Sequence, residues 1–251
     1  MNRAANDGKV YLMSTKSWQP PNLITIDGPA ASGKSTVGYD LANELNYLYV
    51  DTGSMYRAAT VAALRAGIDP NDEEAVAALS KELDLRLLPY AGEQDGRQYT
   101  VLLDGDDITW EIRSPEVDAN VSVVSSFPGV RREMVRRQRE IAEQGGVVMV
   151  GRDIGTVVVP DAPLKFYITA SPEERARRRW IDRKEQGHEA DFADILKDVN
   201  RRDKFDSSRQ HSPLRAAEDA LVIDNTDKTP EAIMAEILEI IASAAAPEGK
   251  N

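Results

Sequence analysis

The sequence has no cysteine and only two histidines, His188 and His211, among 251 residues. The lack of cysteine excludes disulfide bonds, a thiolate nucleophile and a cysteine-ligated zinc site, and it suits a reducing cytoplasm. Two histidines are too few for a histidine-rich metal site. Positive charge is also scarce, since 31 Lys and Arg residues face 42 Asp and Glu residues, which gives a net charge of −11. Nucleic acids and anionic membranes would repel such a protein, so any anion site must be a local concentration of arginine.

Long apolar runs are missing as well. VVMV and IIASAAA fall far short of the roughly 18 residues that a membrane-spanning helix needs, and the first twenty residues do not resemble a secretory signal. We therefore expect a soluble, cytoplasmic protein with no membrane partner. Residues 1–20 are predicted to form a loose tail, and the C-terminal AAAPEGKN a frayed end.

Short apolar runs bounded by Gly, Asp or Pro recur along the chain. They are LITID (23–27), LYVD (48–51), VVMV (147–150), LKFYIT (164–169) and ALVID (220–224). Apolar runs of this length are typical of central strands in a parallel sheet, and helical patterns lie between them. The pattern predicts an α/β protein whose five-stranded parallel sheet is flanked by helices.

Two further patterns refine this prediction. Residues 83–112 contain short alternating segments separated by turn clusters, which predicts a small antiparallel sheet inserted into the core. Ser171-Pro172-Glu173-Glu174 is typical of a helix start with a capping box, and Thr229-Pro230 predicts the start of the last helix.

The stretch IDGPAASGKST matches the pattern G-x-x-x-x-G-K-[ST] and lies between a predicted strand and a predicted helix. Such a loop binds the phosphates of ATP or GTP through backbone N–H groups, with Lys34 reaching the β/γ oxygens and Ser35 facing Mg²⁺. A guanine-reading N-K-x-D motif was not found. The predicted phosphate-binding residues are Gly28, Pro29, Ala30, Ala31, Ser32, Gly33, Lys34, Ser35 and Thr36.

Four further segments carry a family resemblance. These are DTGSMYR (51–57), FPGVRR (127–132), VGRDIGTVV (150–158) and RRDKFDSSRQHSPL (201–214). Together with the phosphate loop they resemble the bacterial cytidylate kinases, and the resemblance runs from about Leu23 to Thr229. It implies a monomeric enzyme of pyrimidine nucleotide metabolism that uses Mg²⁺ and transfers the ATP γ-phosphoryl group to CMP or dCMP.

The resemblance also implies how the chain is organised within a single kinase unit, residues 21–251. The P-loop core covers about 21–60, 130–172 and 210–245. An acceptor-binding insertion covers about 61–129, and a helical lid about 173–200.

By resemblance, Arg57, Arg152 and Arg209 bind the CMP phosphate, while Arg202 and Asp206 hold the ribose hydroxyls. A planar guanidinium gives bidentate phosphate contacts that lysine cannot give. Any one of these arginines could instead be an ion-paired surface residue.

Base selection falls to Ser122, Arg131 and Asp153, again by resemblance. A carboxylate can accept from the cytosine 4-amino group, while arginine donates to the ring N3 and carbonyl. Tyr56 lies where the family lines its acceptor pocket. The alternatives are that Asp153 is a structural partner of a neighbouring group, that Ser122 is a polar position on a packed helix, and that Tyr56 belongs to the core.

The segment EERARRRWIDRKEQG (173–187) resembles the lid of nucleoside monophosphate kinases. Arg175 and Arg179 are the candidates for stabilising the transferring phosphoryl group, beside Lys34 and Arg152 in the catalytic set. Other arginines are expected on the surface, because the helix that carries them buries only Val130, Met134 and Ile141. They are Arg132, Arg136, Arg137 and Arg139.

Two positions depart from the family pattern. Val150 stands where the family usually has Asp or Glu, which puts an acidic contact to the Mg²⁺ hydration shell in doubt. Ala30 replaces a common serine of the phosphate loop. These departures leave open a nucleotide-binding module that has lost catalysis, and the acceptor could also be UMP or another monophosphate.

Overall fold

The computed structural model describes residues 20–185, 187, 189–210 and 212–244. Nearly all of the predicted N-terminal tail, the end of the chain after Ala244 and both histidines lie outside the described residues. Within these ranges, no helix has both the length and the apolar composition needed to cross a bilayer.

The core is a five-stranded parallel sheet, as predicted. Its strands, numbered in chain order with those of the insertion, are β1 (Leu23–Asp27), β2 (Leu48–Asp51), β6 (Val147–Gly151), β7 (Leu164–Thr169) and β8 (Leu221–Asp224). Their order across the sheet is β2-β6-β1-β7-β8. Each strand agrees with a predicted apolar run to within one residue. The central strands are buried along both faces, which explains why their sequences are continuous apolar runs.

Helices cover the sheet and build the insertion. They are α1 (Lys34–Leu45), α2 (Thr52–Arg65), α3 (Glu73–Glu82), α4 (Pro115–Val124), α5 (Pro128–Ala142), α6 (Pro172–Glu185), α7 (Phe192–Ser207) and α8 (Pro230–Ala244). The predicted helix starts are confirmed: Ser171 Oγ accepts from the Glu174 N–H at 3.2 Å, and Thr229 Oγ1 accepts from the Ala232 N–H at 3.3 Å.

The predicted antiparallel sheet is also confirmed. It consists of β3 (Leu85–Pro89), β4 (Tyr99–Leu103) and β5 (Asp106–Asp107), and a 3₁₀ turn at Glu111–Arg113 follows it. Val101 and Leu103 of β4 are buried against the main core. The insertion is therefore packed onto the core rather than tethered beside it.

The segment predicted as a lid, about 173–200, comprises α6 and the first half of α7, and these two helices pack against each other. Ala176, Ile195 and Val199 form a small separate core between them. Trp180 Nε1 donates to the Ala190 carbonyl at 3.0 Å, which ties α6 to the residues just before α7.

The expectation that four arginines of α5 lie on the surface is wrong for Arg137, which is partly buried; Arg132, Arg136 and Arg139 are exposed, although Arg139 also bonds to backbone carbonyls. Arg137 donates to the carbonyls of Ser80, Lys81 and Leu83, where α3 ends. Arg139 donates to the Val157 and Val158 carbonyls at 2.9 and 2.7 Å. A helical pattern identifies the buried stripe but not the long side chains that reach backbone carbonyls beyond it.

Candidate active site

The phosphate loop lies between β1 and α1, as predicted, and two of its positions demand glycine. Gly28 has φ +154°, and a Cβ there would lie 2.0 Å from the Ile168 carbonyl oxygen. Gly33 has φ +86°, and a Cβ there would lie 2.7 Å from Asn225 Nδ2. Only glycine tolerates both the positive φ and the close contact at these two positions. The two glycines thus allow the tight loop whose N–H groups lie at the start of α1.

Lys34 is buried at the base of this loop, with Nζ donating to the Pro29 carbonyl at 2.9 Å. Burial, together with the nearby charge of Arg152, lowers the pKa of Lys34 to about 7. A phosphate group beside it would favour the charged form and reverse this shift.

The phosphate loop is also held by Asn225, which follows the outer strand β8 and was not identified from the sequence. Its Nδ2 donates to the Ser32 carbonyl at 2.6 Å, and Arg178 Nη2 donates to the Asn225 carbonyl at 2.8 Å. The available signal was position, since Asn225 directly follows β8 at the carboxyl edge of the parallel sheet, where ligands bind.

Two neighbouring clefts, with volumes of about 640 and 440 Å³, share part of their lining, and the smaller one opens beside the loop. The smaller one is lined by the phosphate-loop residues Ala30, Ala31, Lys34 and Ser35. The larger one extends between the insertion and α7, past Ser122 and Phe205. Both are lined by Arg113, Asp118, Arg179, Arg183 and Arg202. Arg113, which extends from the insertion, was not singled out from the sequence.

Three predicted acceptor residues from distant segments, Arg57, Arg152 and Arg202, line the smaller cleft, whereas Asp206 and Arg209 line neither cleft. Arg57 donates to Asp118 at 2.6 Å and to the Ile112 carbonyl at 2.8 Å. Arg152 is hydrogen-bonded to Asp206, which also pairs with Arg209 at 2.8 Å. Although burial alone would raise it, Arg152 and Arg209 hold the pKa of Asp206 below its ordinary value.

Arg202 lines both clefts, and its Nε is buried without a hydrogen-bond partner in the described part of the chain. Burial and the charge of Arg152 lower the pKa of Arg202 to about 9. A buried guanidinium with an unpaired N–H group is a candidate to donate to a ligand oxygen, either a hydroxyl or an anionic oxygen, because an unpaired buried donor costs free energy.

The predicted base-reading residues Arg131 and Asp153 form a buried ion pair with each other. Arg131 also donates to the Ser125 carbonyl at 3.1 Å, and Arg209 donates to Ser125 Oγ at 3.2 Å. Ser122 lines the larger cleft, whereas Arg131 and Asp153 line neither cleft. The carboxylate and guanidinium are thus adjacent, as base reading needs, but lie behind the cleft wall.

Tyr56 belongs to the core. Its side chain is buried in the main hydrophobic cluster, and the Arg131 guanidinium lies 5.3 Å from the ring centroid. Tyr56 therefore supports Arg131 from behind and does not line either cleft.

The two predicted lid arginines have different surroundings. Arg175 is only 3% exposed, pairs with Asp203, and donates to the carbonyls of Ala170 and of Ala30 in the phosphate loop. Arg179 lines both clefts. Its neighbour Arg183 does the same, so the cleft-facing arginines of α6 are Arg179 and Arg183.

Oxygen ligands for a divalent cation are available beside Lys34. The Ser35 hydroxyl and the Asp51 carboxylate line the same cleft, and no cluster of three or more His, Asp or Glu side chains forms a metal cage among the described residues. Val150 is fully buried and packs tightly against Gly38 of α1: a Cβ on Gly38 would lie only 2.4 Å from Val150 Cγ2. Asp51, the residue paired with Val150 across β2 and β6, places a carboxylate at the end of β2, where Oδ1 accepts from the Gly53 N–H at 2.9 Å.

A phosphate loop after the first strand of a parallel sheet, opposite an arginine-lined cleft at the carboxyl edge, defines a P-loop phosphotransferase. The cytidylate kinase family profile matches residues 24–243. A cytidylate kinase of Roseiflexus castenholzii is 50% identical over 222 residues, covering 88% of this chain and 94% of its own. Those of Desulforamulus reducens and Bacillus licheniformis are 50% and 47% identical, covering 86% and 87% of this chain and 94% and 95% of their own. This chain belongs to the cytidylate kinase family, whose reaction implies ATP and a divalent metal.

Proposed function

We propose that this protein transfers the γ-phosphoryl group of ATP to CMP or dCMP, giving ADP and CDP or dCDP. The observation that carries the proposal is the placement of Arg57, Arg152 and Arg202 around one cleft whose opposite wall is the phosphate loop. This arrangement provides a donor phosphate site and a cationic acceptor site within one small volume. The enzyme is proposed to act as a monomer in the cytoplasm, in pyrimidine nucleotide metabolism.

Catalysis here rests on positioning and charge. The loop N–H groups and Lys34 hold the ATP phosphates, while Arg57, Arg152 and Arg209 bind the CMP phosphate. Such contacts align the acceptor oxygen with the γ-phosphorus and stabilise the charge spread over the transferring group. No side chain needs to form a covalent intermediate.

The ribose and the lid complete the site. Arg202 and Asp206, which belong to α7, are proposed to bind the ribose hydroxyls. Arg179 from α6 reaches the cleft where the phosphoryl group moves, and closure of α6 and α7 over the cleft would exclude water. Arg175 supports this arrangement by holding the Ala30 carbonyl.

We propose Mg²⁺ as the divalent cation, held with ATP by the Ser35 hydroxyl and oriented by the Asp51 carboxylate. Oxygen donors on one hydroxyl and one carboxylate suit a hard cation that keeps most of its water ligands. The metal would neutralise charge on the phosphates.

Base selection is proposed to use the Arg131–Asp153 pair. A cytosine that enters past Ser122 presents a 4-amino donor and an N3 acceptor, which match the carboxylate and the guanidinium respectively. Because this pair is closed behind the cleft wall, the base must displace part of their mutual contact. Uracil offers an acceptor at position 4 and would leave the Asp153 carboxylate unpaired.

The first test is ADP formation from MgATP with CMP, dCMP, UMP, AMP and GMP in turn, with Lys34→Ala as the background. Turnover confined to CMP and dCMP is expected. Turnover with another monophosphate would reassign the acceptor. Binding of ATP and CMP without turnover would instead support a nucleotide-binding module that has lost catalysis.

Asp153→Asn tests the base assignment. The variant should lower kcat/KM for CMP by roughly tenfold or more while changing UMP use far less, since one good paired contact discriminates by about 1–3 kcal/mol. Asp203→Asn, which alters a carboxylate paired with Arg175, is the control. An unchanged ratio of CMP to UMP use in folded Asp153→Asn protein would contradict the assignment.

A further inference from the structure

Asp27 is a buried carboxylate at the last position of β1, immediately before Gly28 of the phosphate loop. Oδ1 accepts from the Ile154 N–H at 2.8 Å and Oδ2 from the Gly155 N–H at 2.7 Å. No part of the mechanism above uses this side chain. Both of its oxygens are committed to backbone groups of a segment far away in sequence.

The N–H groups that Asp27 binds belong to the turn that carries two proposed acceptor residues. Arg152 and Asp153 follow β6 directly, and a short π-helix begins at Ile154. On the other side of these two residues, Gly151 pairs with Asp27 itself in the sheet register. The two functional residues are therefore held at both ends, and Asp27 takes part at each end.

Neighbouring side chains also restrict the position of this turn. A Cβ on Gly151 would lie 2.6 Å from Thr52 Oγ1, and one on Gly155 would lie 3.1 Å from Thr25 Oγ1 and from the Lys165 side chain. Close packing thus confines the turn, and the Asp27 carboxylate sets its position along the strand direction.

We propose that Asp27 is a positioning residue that fixes Arg152 and Asp153 relative to the phosphate loop, so that one carboxylate couples the ATP site to the acceptor site. The proposal rests on the proposed function. It goes beyond the proposed function by giving a role to a residue that lines neither cleft. A displacement of about 1 Å between reacting groups can cost roughly a hundredfold in rate.

The buried state of Asp27 supports this role. Burial raises the pKa of Asp27 to about 7, while the two backbone hydrogen bonds act in the opposite direction. An apolar side chain at this position would leave the buried Ile154 and Gly155 N–H groups without an acceptor.

Asp27→Asn is the test variant, because it keeps the shape but places an amide N–H₂ group against one of the two backbone N–H donors. Thr25→Val is the matched control, a buried polar side chain two residues earlier on the same strand and beside the same turn. KM and kcat for CMP and UMP, ATP affinity by direct titration, and the Tm are measured on wild type and both variants.

In Asp27→Asn we expect kcat/KM for CMP to fall by roughly ten- to a hundredfold. The ratio of CMP to UMP use should fall as well, with ATP affinity within about threefold of wild type. Thr25→Val should keep the wild-type ratio and KM. Folded Asp27→Asn protein with the wild-type ratio and KM for CMP would overturn the proposal.

If Asp27→Asn does not fold, Asp27→Glu gives the same reading, since it keeps the charge and displaces it by one methylene. A reduced ratio of CMP to UMP use supports the role, and an unchanged ratio overturns it. Failure of the proposed function is distinguishable, because wild type itself would then not use CMP. The acceptor that wild type does use would replace CMP in these comparisons.

Discussion

The ATP side and the acceptor side of this site are built in opposite ways. The phosphate loop is one contiguous stretch, Gly28–Thr36, whose function depends mainly on backbone groups. The proposed acceptor side takes Arg57 from α2, Arg131 from α5, Arg152 from the turn after β6 and Arg202 from α7. A backbone-based site can therefore be recognised as a local sequence motif, whereas a site of long side chains depends on which partner each side chain finds.

The phosphate loop is where a single substitution should have the greatest effect. Lys34→Met should lower the kcat of CMP phosphorylation by roughly a thousandfold, because it removes a buried cation from developing phosphate charge. Steady-state ADP formation measures it, with exposed Lys81→Met as the control. Loss of less than tenfold would show that the loop backbone alone provides the ATP site.

A second pair of variants separates the two roles within α6. Arg175→Ala should reduce the free energy of unfolding by about 2 kcal/mol, since it leaves Asp203 and two carbonyls without their charged donor. Arg179→Ala should leave stability within about 0.5 kcal/mol and lower kcat roughly tenfold or more. Urea unfolding and kcat are measured on both.

Arg177→Ala, which alters an exposed arginine of the same helix paired with Glu174, serves as the control for this pair. The reverse outcome, with activity lost in stable Arg175→Ala protein and retained in Arg179→Ala protein, would return Arg175 to the catalytic set.

The last prediction concerns one proton at Lys34. It tests whether the two sides of the site interact electrostatically, because Arg152, on the proposed acceptor side, helps to lower the pKa of Lys34. With that pKa at about 7, Lys34 is mostly neutral at pH 8 in the free protein. ATP should raise the pKa, so binding should take up a substantial fraction of a proton at pH 8 and less at pH 6.

Calorimetric titration with ATP in buffers of different ionisation enthalpy measures this uptake. Lys34→Arg stays protonated and should show much less of it at pH 8. Equal uptake in wild type and Lys34→Arg would assign the proton to another group.

Strands and helix starts could be predicted from the sequence where they depend on neighbouring residues. Apolar runs identified the five core strands because central parallel strands are buried on both faces, and turn clusters identified the β insertion. The start of α6 followed from the hydroxyl of Ser171, which caps a helix regardless of what surrounds it.

Prediction was weaker where a side chain had a choice of partners. Arg175 and Arg179 are four residues apart in one arginine-rich helix, yet Asp203 and the Ala30 carbonyl capture Arg175 while Arg179 faces the cleft. The sequence did not show whether Tyr56 belongs to the core or to the acceptor pocket. In the structure Tyr56 is buried in the core against Arg131. Asp27 and Asn225 carry no motif of their own beyond their places at strand ends.

By itself the sequence determined the α/β class, the phosphate loop with its two constrained glycines, and the family to which the chain belongs. These follow from periodicity, backbone conformation and the order of motifs, which are properties of neighbouring residues. Tertiary structure alone decided which arginines are paired and which face the cleft, why Val150 is apolar, and how Asp27 joins two distant segments. The physical reason is that charge pairing and burial depend on distances through space, and these distances are set only when the sheet and its helices pack.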